Sequence, residues 1–238
     1  MKTGFSSNQL KLIAIIAMTL DHLAWTFYPG YSRIPAIILF HLVGRIAAPV
    51  MWYFIAQGFY HTRNIHKYTL RLFGLALISH FAYNFCFGIP FLPLQTSLFN
   101  QTSVIWPLAW GLVLLRINGS TRYNDWQKAL FLLLVCVITF PADWSCIASM
   151  AIFFMGANRG NFKVQMLWMM LWTVVYAIVY FLFLDPLYGV IQLGTCLSIP
   201  LLRMYNGERG NLKRIGMLFY FYYPAHLVLC GLLRILLK

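Results

Sequence analysis

Stretches of about 20 apolar residues, the length a helix needs to cross roughly 30 Å of hydrocarbon, recur from one end of this chain to the other. The connections between them are too short to fold as a water-soluble domain. Composition agrees, since 61% of residues are hydrophobic and 10% charged, where a soluble domain carries roughly a quarter charged residues. The chain therefore reads as an all-α, polytopic transmembrane helical bundle.

Breaks at Gly, Pro, Asn and charged residues divide it into expected spans at 10–28, 34–60, 68–88, 94–115, 126–142, 143–157, 164–184, 186–202 and 214–237. That makes nine spans, or seven if 126–157 is a re-entrant hairpin shielded inside the bundle. Lys and Arg favour cytoplasmic connections. Lys2, Lys11, Arg63, Lys67, Arg71, Arg116, Arg122, Lys128, Arg159, Lys163, Arg203, Arg209, Lys213 and Arg214 fall on one side; only Arg33, Arg234 and Lys238 fall on the other. The N-terminus is expected in the cytoplasm and the C-terminus outside. A basic cytoplasmic face against anionic lipid accounts for the net charge of +13 and calls for no nucleic-acid partner.

Several signals carry little. Lys11 opens the first span and no small-residue cleavage site follows it, so the segment reads as a retained helix. Cys86, Cys136, Cys146, Cys196 and Cys230 lack CxxC spacing and lie in apolar segments, where inert buried thiols are expected. No metal is expected. The sequons at Asn100 and Asn118 are short patterns, and no internal repeat of the kind that builds many transporters is visible.

The informative residues are the scarce ionisable ones inside spans. In "IIAMTLDHLAWTF", Asp21 and His22 stand side by side, ten residues beyond Lys11 and thus roughly 15 Å deep. Arg45 in the second span and His226 in the last reach a similar level. Charge at mid-membrane costs about 2.5 to 3.5 kcal/mol on insertion scales, so such groups face the bundle interior and pair. Asp21 and Arg45 are the expected pair. One reading makes it a pin between two spans; the other, favoured by the adjoining His22 and by His226, makes the cluster a proton-transfer site. His41, one turn before Arg45, is expected at the outward mouth or the interface. His80 is expected near the outer end of its span, His61 and His66 in a solvated loop, and Gln57 in a helix-to-helix hydrogen bond. Pro49 and Pro224 each remove a backbone donor beside the cluster, which suits a polar cavity.

The stretches "LKLIAIIAMTLDHLAW", "GRIAAPVMWYFIAQGFYHTRN" and "FYYPAHLVL" together resemble the three signature regions of the TraX family, named for the F-pilin acetylation protein of conjugative plasmids. That family is grouped with integral-membrane acyltransferases that use acyl-CoA and an intramembrane histidine. The resemblance implies a single acyltransferase-like domain over 1–238 in the bacterial inner membrane. It also implies acetyl transfer from acetyl-CoA to an amine or hydroxyl, in the best-known case the N-terminal amine of a membrane-held pilin subunit. Asp21, His22, Arg45 and His226 fall at the family's shared polar positions, with His22 or His226 as general base. Asp21 would orient a histidine and Arg45 would steady the oxyanion. The basic residues Arg63, Lys67 and Arg71 are expected to attract the phosphates of coenzyme A. The rival readings are a proton-coupled transporter, an acyltransferase acting on a sugar or lipid hydroxyl, and a non-catalytic assembly factor.

Overall fold

The computed structural model describes residues 4–210 and 215–237; Lys2, Lys213, Arg214 and Lys238, counted above among the basic residues, lie outside them. The regular secondary structure of the described residues is helical, with two isolated bridges (Phe5 with Tyr205, Thr102 with Ala142) and no strand. They form two compact units, residues 1–51 with 170–238, and residues 52–169.

The first unit opens with α1 (Ser7–Phe27), whose start is fixed by a capping box: Ser6 accepts from the Gln9 amide while the Gln9 side chain accepts from the Ser6 amide. Backbone bonds from Phe5, Ser7 and Asn8 to the carbonyls of Met204, Glu208 and Arg209 tie that start to the segment after residue 203. Helix α2 (Pro35–Gly44) begins with proline at its first position and tightens at its end, where the Arg45 amide donates to the His41 and Leu42 carbonyls and Ile46 to Val43. Helix α3 (Ala47–His61) then starts afresh, with Pro49 in its first turn where a missing N–H costs nothing. The expected span 34–60 is thus two helices with a tight step at Arg45. At that step α1 and α2 nearly touch: a Cβ on Gly44 would lie 2.4 Å from Asp21 Cβ.

The later half of α8 (Phe162–Phe183) leads into α9 (Pro186–Gln192), a 3-10 turn (Leu193–Leu197) and α10 (Ser198–Arg203). The sequence predicts one span over 186–202; the structure corrects this to three short pieces. Pro200 has no N–H for the carbonyl of Cys196, and close packing requires glycine twice, Gly189 against the Phe181 backbone and Gly194 against Leu42. Asp185 caps α9 by accepting from the Tyr188 amide and also pairs with Arg33 at 2.6 Å. Helix α11 (Ile215–Leu236) closes the unit with Pro224 in its interior.

The second unit holds the rest of α3, α4 (Ile65–Phe87), α5 (Ile105–Asn118), α6 (Asp125–Thr139), α7 (Ser145–Ala157) and the start of α8. The expected span 94–115 is corrected here. Residues 88–104 are turns and bends, and the helix begins only at Ile105. Gly88 ends α4 in a left-handed conformation (φ 67°), and Pro90 and Pro93 block its continuation. The loop is held by side chains: Asn84 donates to the Pro90 carbonyl and His80 bridges Phe91 and Thr102. Helices α5 and α7 interlock through two glycines, Gly111 against Ile152 and Gly156 against Leu115. Helix α7 is buried on nearly every side.

Among the described residues, four helical stretches, Ser7–Phe27, Pro35–His61 through its step, Ile65–Phe87 and Phe162–Phe183, are long and apolar enough to cross a membrane. Helices α5, α6 and α7, with 14, 15 and 13 residues, each rise only about 20 Å. Large apolar side chains such as Leu77, Ile78, Leu133 and Val137 face outward, as hydrocarbon contact requires. The five cysteines form no disulfide, but only Cys86 and Cys230 are buried; Cys196 is exposed.

Candidate active site

Consecutive helical residues point about 100° apart, so Asp21 and His22 on α1 cannot serve the same neighbour. Asp21 meets the end of α2 and His22 meets α11. Both side chains are buried, as are His41 and His226. All of them belong to the first unit.

Around Asp21 every oxygen is used. Oδ1 accepts from Nδ1 of His41 at 2.7 Å and Oδ2 from a terminal nitrogen of Arg45 at 2.7 Å. Arg45 is held at all three guanidinium nitrogens: the other terminal one donates to Gln192 Oε1 at 2.9 Å and Nε donates to the His41 carbonyl at 3.2 Å. The step after Gly44 makes this possible, because it ends α2 beside Asp21 and brings the arginine side chain back onto the His41 carbonyl, which accepts from both the Arg45 amide and its Nε. A buried carboxylate with one cation and one imidazole N–H has its charge compensated and its lone pairs occupied.

His22 belongs to a second chain of bonds. Its Nδ1 lies 2.7 Å from Nε2 of His226, whose Nδ1 lies 2.9 Å from the carbonyl oxygen of Tyr222. A carbonyl only accepts, so His226 carries its proton on Nδ1 and its Nε2 accepts in the neutral ring. His22 must then donate from Nδ1, which leaves the lone pair of the neutral His22 ring on Nε2. The same logic orients the hydroxyls nearby: Thr19 donates to the Ile15 carbonyl at 2.8 Å, so Tyr222 donates to Thr19 at 2.7 Å. The Tyr222 ring stacks on His226 with centroids 5.1 Å apart.

Asp21, His22, Arg45 and His226, the catalytic residues expected from sequence, therefore stand in two hydrogen-bonded arms that share α1. Three participants went unforeseen. His41, expected at the rim, is the most buried ionisable group of the set; Gln192 was hidden in a segment read as a smooth span; Tyr222 supplies the carbonyl that sets the tautomers. The one-turn spacing of His41 from Arg45 was the available signal for the first, and none marked Gln192. Arg63, Lys67 and Arg71 are exposed, in the turn before α4 and along its first turns, and belong to the second unit. His80, to which no role was assigned, fastens a loop.

The two-arm arrangement can accept a proton at one end of an imidazole pair and hold a fixed cation beside a compensated carboxylate. A family model described as "TraX protein" matches residues 6–234. The chain is similar, at 30% identity over 235 residues and covering 94% of each chain, to a protein named probable fimbrial assembly protein FimC, serogroup H1, of Dichelobacter nodosus. No solved structure matches it.

Proposed function

The chain belongs to the TraX family, and on that footing we propose that it is an acetyltransferase of the bacterial inner membrane. It moves the acetyl group of acetyl-CoA to an acceptor amine, the N-terminus of a membrane-held pilin subunit. The family's link to pilin acetylation and the fimbrial name of the relative support the acceptor. The observation that carries the chemistry is the directed chain from the Tyr222 carbonyl through His226 to His22.

In this reading His22 is the general base and His226 is not. Both ring nitrogens of His226 are engaged, one by Tyr222 and one by His22, and in the tautomer this chain imposes the basic nitrogen of the pair is Nε2 of His22. A proton taken up there places positive charge on an imidazole whose Nδ1–H already points at a second imidazole, which spreads that charge. Such a base accelerates amine attack by about 10²- to 10⁴-fold. Arg45, fixed at three nitrogens, steadies the oxyanion that develops on the thioester carbonyl; a donor immobilised before the reaction loses nothing to reorganisation. Asp21 holds that donor in place. Arg63, Lys67 and Arg71 attract the phosphates of coenzyme A.

The test is acetyl transfer from radiolabelled acetyl-CoA by the purified, detergent-solubilised chain to a pilin acceptor, compared with His22→Asn. Asparagine keeps a donor where Nδ1 stood and so keeps the bond to His226, but offers no base. The expected result is a folded variant at least about a hundredfold slower. A wild-type chain that turns over no acetyl-CoA with any acceptor would reduce the protein to the assembly role that its relative's name describes.

A further inference from the structure

His41 makes one side-chain hydrogen bond and leaves one nitrogen open. Its Nδ1–H donates to Asp21, which places Nε2 on the opposite edge of the ring. That atom is buried and has no hydrogen-bond partner, in a side chain only 1% exposed. A buried polar atom without a partner is unfavourable and calls for an explanation. Packing alone supplies none, because an apolar side chain would fill the space without leaving a nitrogen unbonded.

What surrounds the ring points to a cation. Trp25 and Tyr188 pack against His41 with centroids at 4.6 and 5.2 Å, and Tyr31, itself 38% exposed, reaches both of those rings. A row of aromatic rings thus extends from the surface to the imidazole, and aromatic rings attract ammonium groups. The charged and titratable groups about His41 are Asp21 and His22 on α1, Arg45 at the end of its own helix and Tyr188 on α9; Cys196, in the 3-10 turn, is exposed. The pattern of carboxylate, imidazole and open Nε2 is that of an oriented general base.

We propose that His41 is a second catalytic residue, whose Nε2 takes the first of the protons that an ammonium acceptor must lose. The inference rests on the acetyltransferase reading above. An acceptor arriving as R–NH3⁺ gives one proton to His41 and keeps the electron pair of that bond on nitrogen. This pair attacks the thioester carbon, the C–N bond forms, and the carbonyl π electrons move onto oxygen. His22 removes a second proton from nitrogen. When the carbonyl re-forms, the C–S bond breaks and the departing sulfur takes that proton from His22, leaving as the free thiol. His41 releases its proton to water, so the products are amide, thiol and one proton.

His41→Asn is the test, since asparagine retains the donor to Asp21 and lacks only Nε2. A missing first base makes the rate follow the fraction of acceptor already neutral, which rises about tenfold per pH unit up to the α-amino pKa of about 7.7 to 8. The variant should therefore be slower than wild type by about tenfold or more at pH 6 and should approach it above pH 9, while His22→Asn stays slow throughout. Equal activity of His41→Asn and wild type at every pH overturns the inference and leaves the acetyltransferase reading standing. A loss of the same size at every pH also overturns it and makes His41 a residue that positions Asp21. If wild type transfers nothing, the acetyltransferase reading falls and this inference with it. Should the Asn variant fail to accumulate, nitrogen-15 histidine spectra of the wild-type chain decide: a His41 ring that gains its proton within the pH range of activity supports the proposal, and one doubly protonated throughout overturns it.

Discussion

Both units bury polar side chains, but they bond them to different things. In the second unit they reach for backbone: Ser149 donates to the Pro107 carbonyl, Thr139 to Val135, Gln165 to Met155 and Asn84 to Pro90. In the first unit Ser7, Asn8 and Thr26 do the same, but Asp21, His22, His41 and His226 bond to side chains that titrate. A side chain on a carbonyl satisfies an atom that has no alternative state, so the bond is a stitch. A side chain on an imidazole or carboxylate is coupled to a proton that can move. Within hydrocarbon the first kind is cheap structural glue, and the second is retained where chemistry needs it.

Breaking the Asp21–Arg45 bond should have the largest effect. Asp21→Ala or Arg45→Ala leaves its partner charged and buried, a cost of about 3 to 5 kcal/mol, and thermal unfolding in detergent should show it. The double variant should recover part of that stability but none of the activity, because the cation is gone. A double variant with wild-type acetyl transfer would make this pair another stitch.

Next come the histidines. His22→Asn should lose about a hundredfold in turnover with little change in unfolding temperature. His80, which donates from Nε2 to the Phe91 carbonyl and accepts from Thr102, should behave in the opposite way: His80→Asn lowers stability and leaves turnover alone. Equal losses of turnover in both would erase the distinction between the units.

The glycines sharpen the comparison further. Gly111→Ala drives a methyl to within 2.9 Å of Ile152 Cβ, and overpacking of this kind costs about 1 to 3 kcal/mol. Gly44→Ala meets Asp21 instead, so a similar loss of stability should come with a fall in kcat that Gly111→Ala does not share. The smallest effect is expected at Ser149→Ala, where one hydrogen bond to the Pro107 carbonyl is worth about 0.5 to 1.5 kcal/mol and activity stays unchanged.

The membrane character, the helical class and the meeting of Asp21 with Arg45 were legible in the chain, because charge is so scarce among its apolar residues that depth alone restricts the pairings. His226 was legible for the same reason. The role of His41 was not: a helical spacing of four fixes the face it shares with Arg45 but says nothing of how α2 is rotated toward α1. The break over 186–202 was hidden because hydropathy measures the side chains of Leu193 and Cys196 and ignores the backbone donor that Pro200 removes. Likewise Leu92, Leu94 and Leu98 made the loop after α4 look like the start of a span, although the two prolines and the run of Gln, Thr, Ser and Asn around them favour turns.

The step at Arg45 has an electrostatic side. A helix carries partial negative charge at its carboxyl end, and α2 ends at Gly44, immediately before the arginine whose Nε–H the His41 carbonyl accepts. The guanidinium is thus stabilised by the peptide dipoles of α2 as well as by Asp21. Peptide dipoles do not titrate. When a proton arrives in the cluster and the carboxylate turns part of its field toward an imidazolium, the arginine keeps a counter-charge that no change of pH can take away.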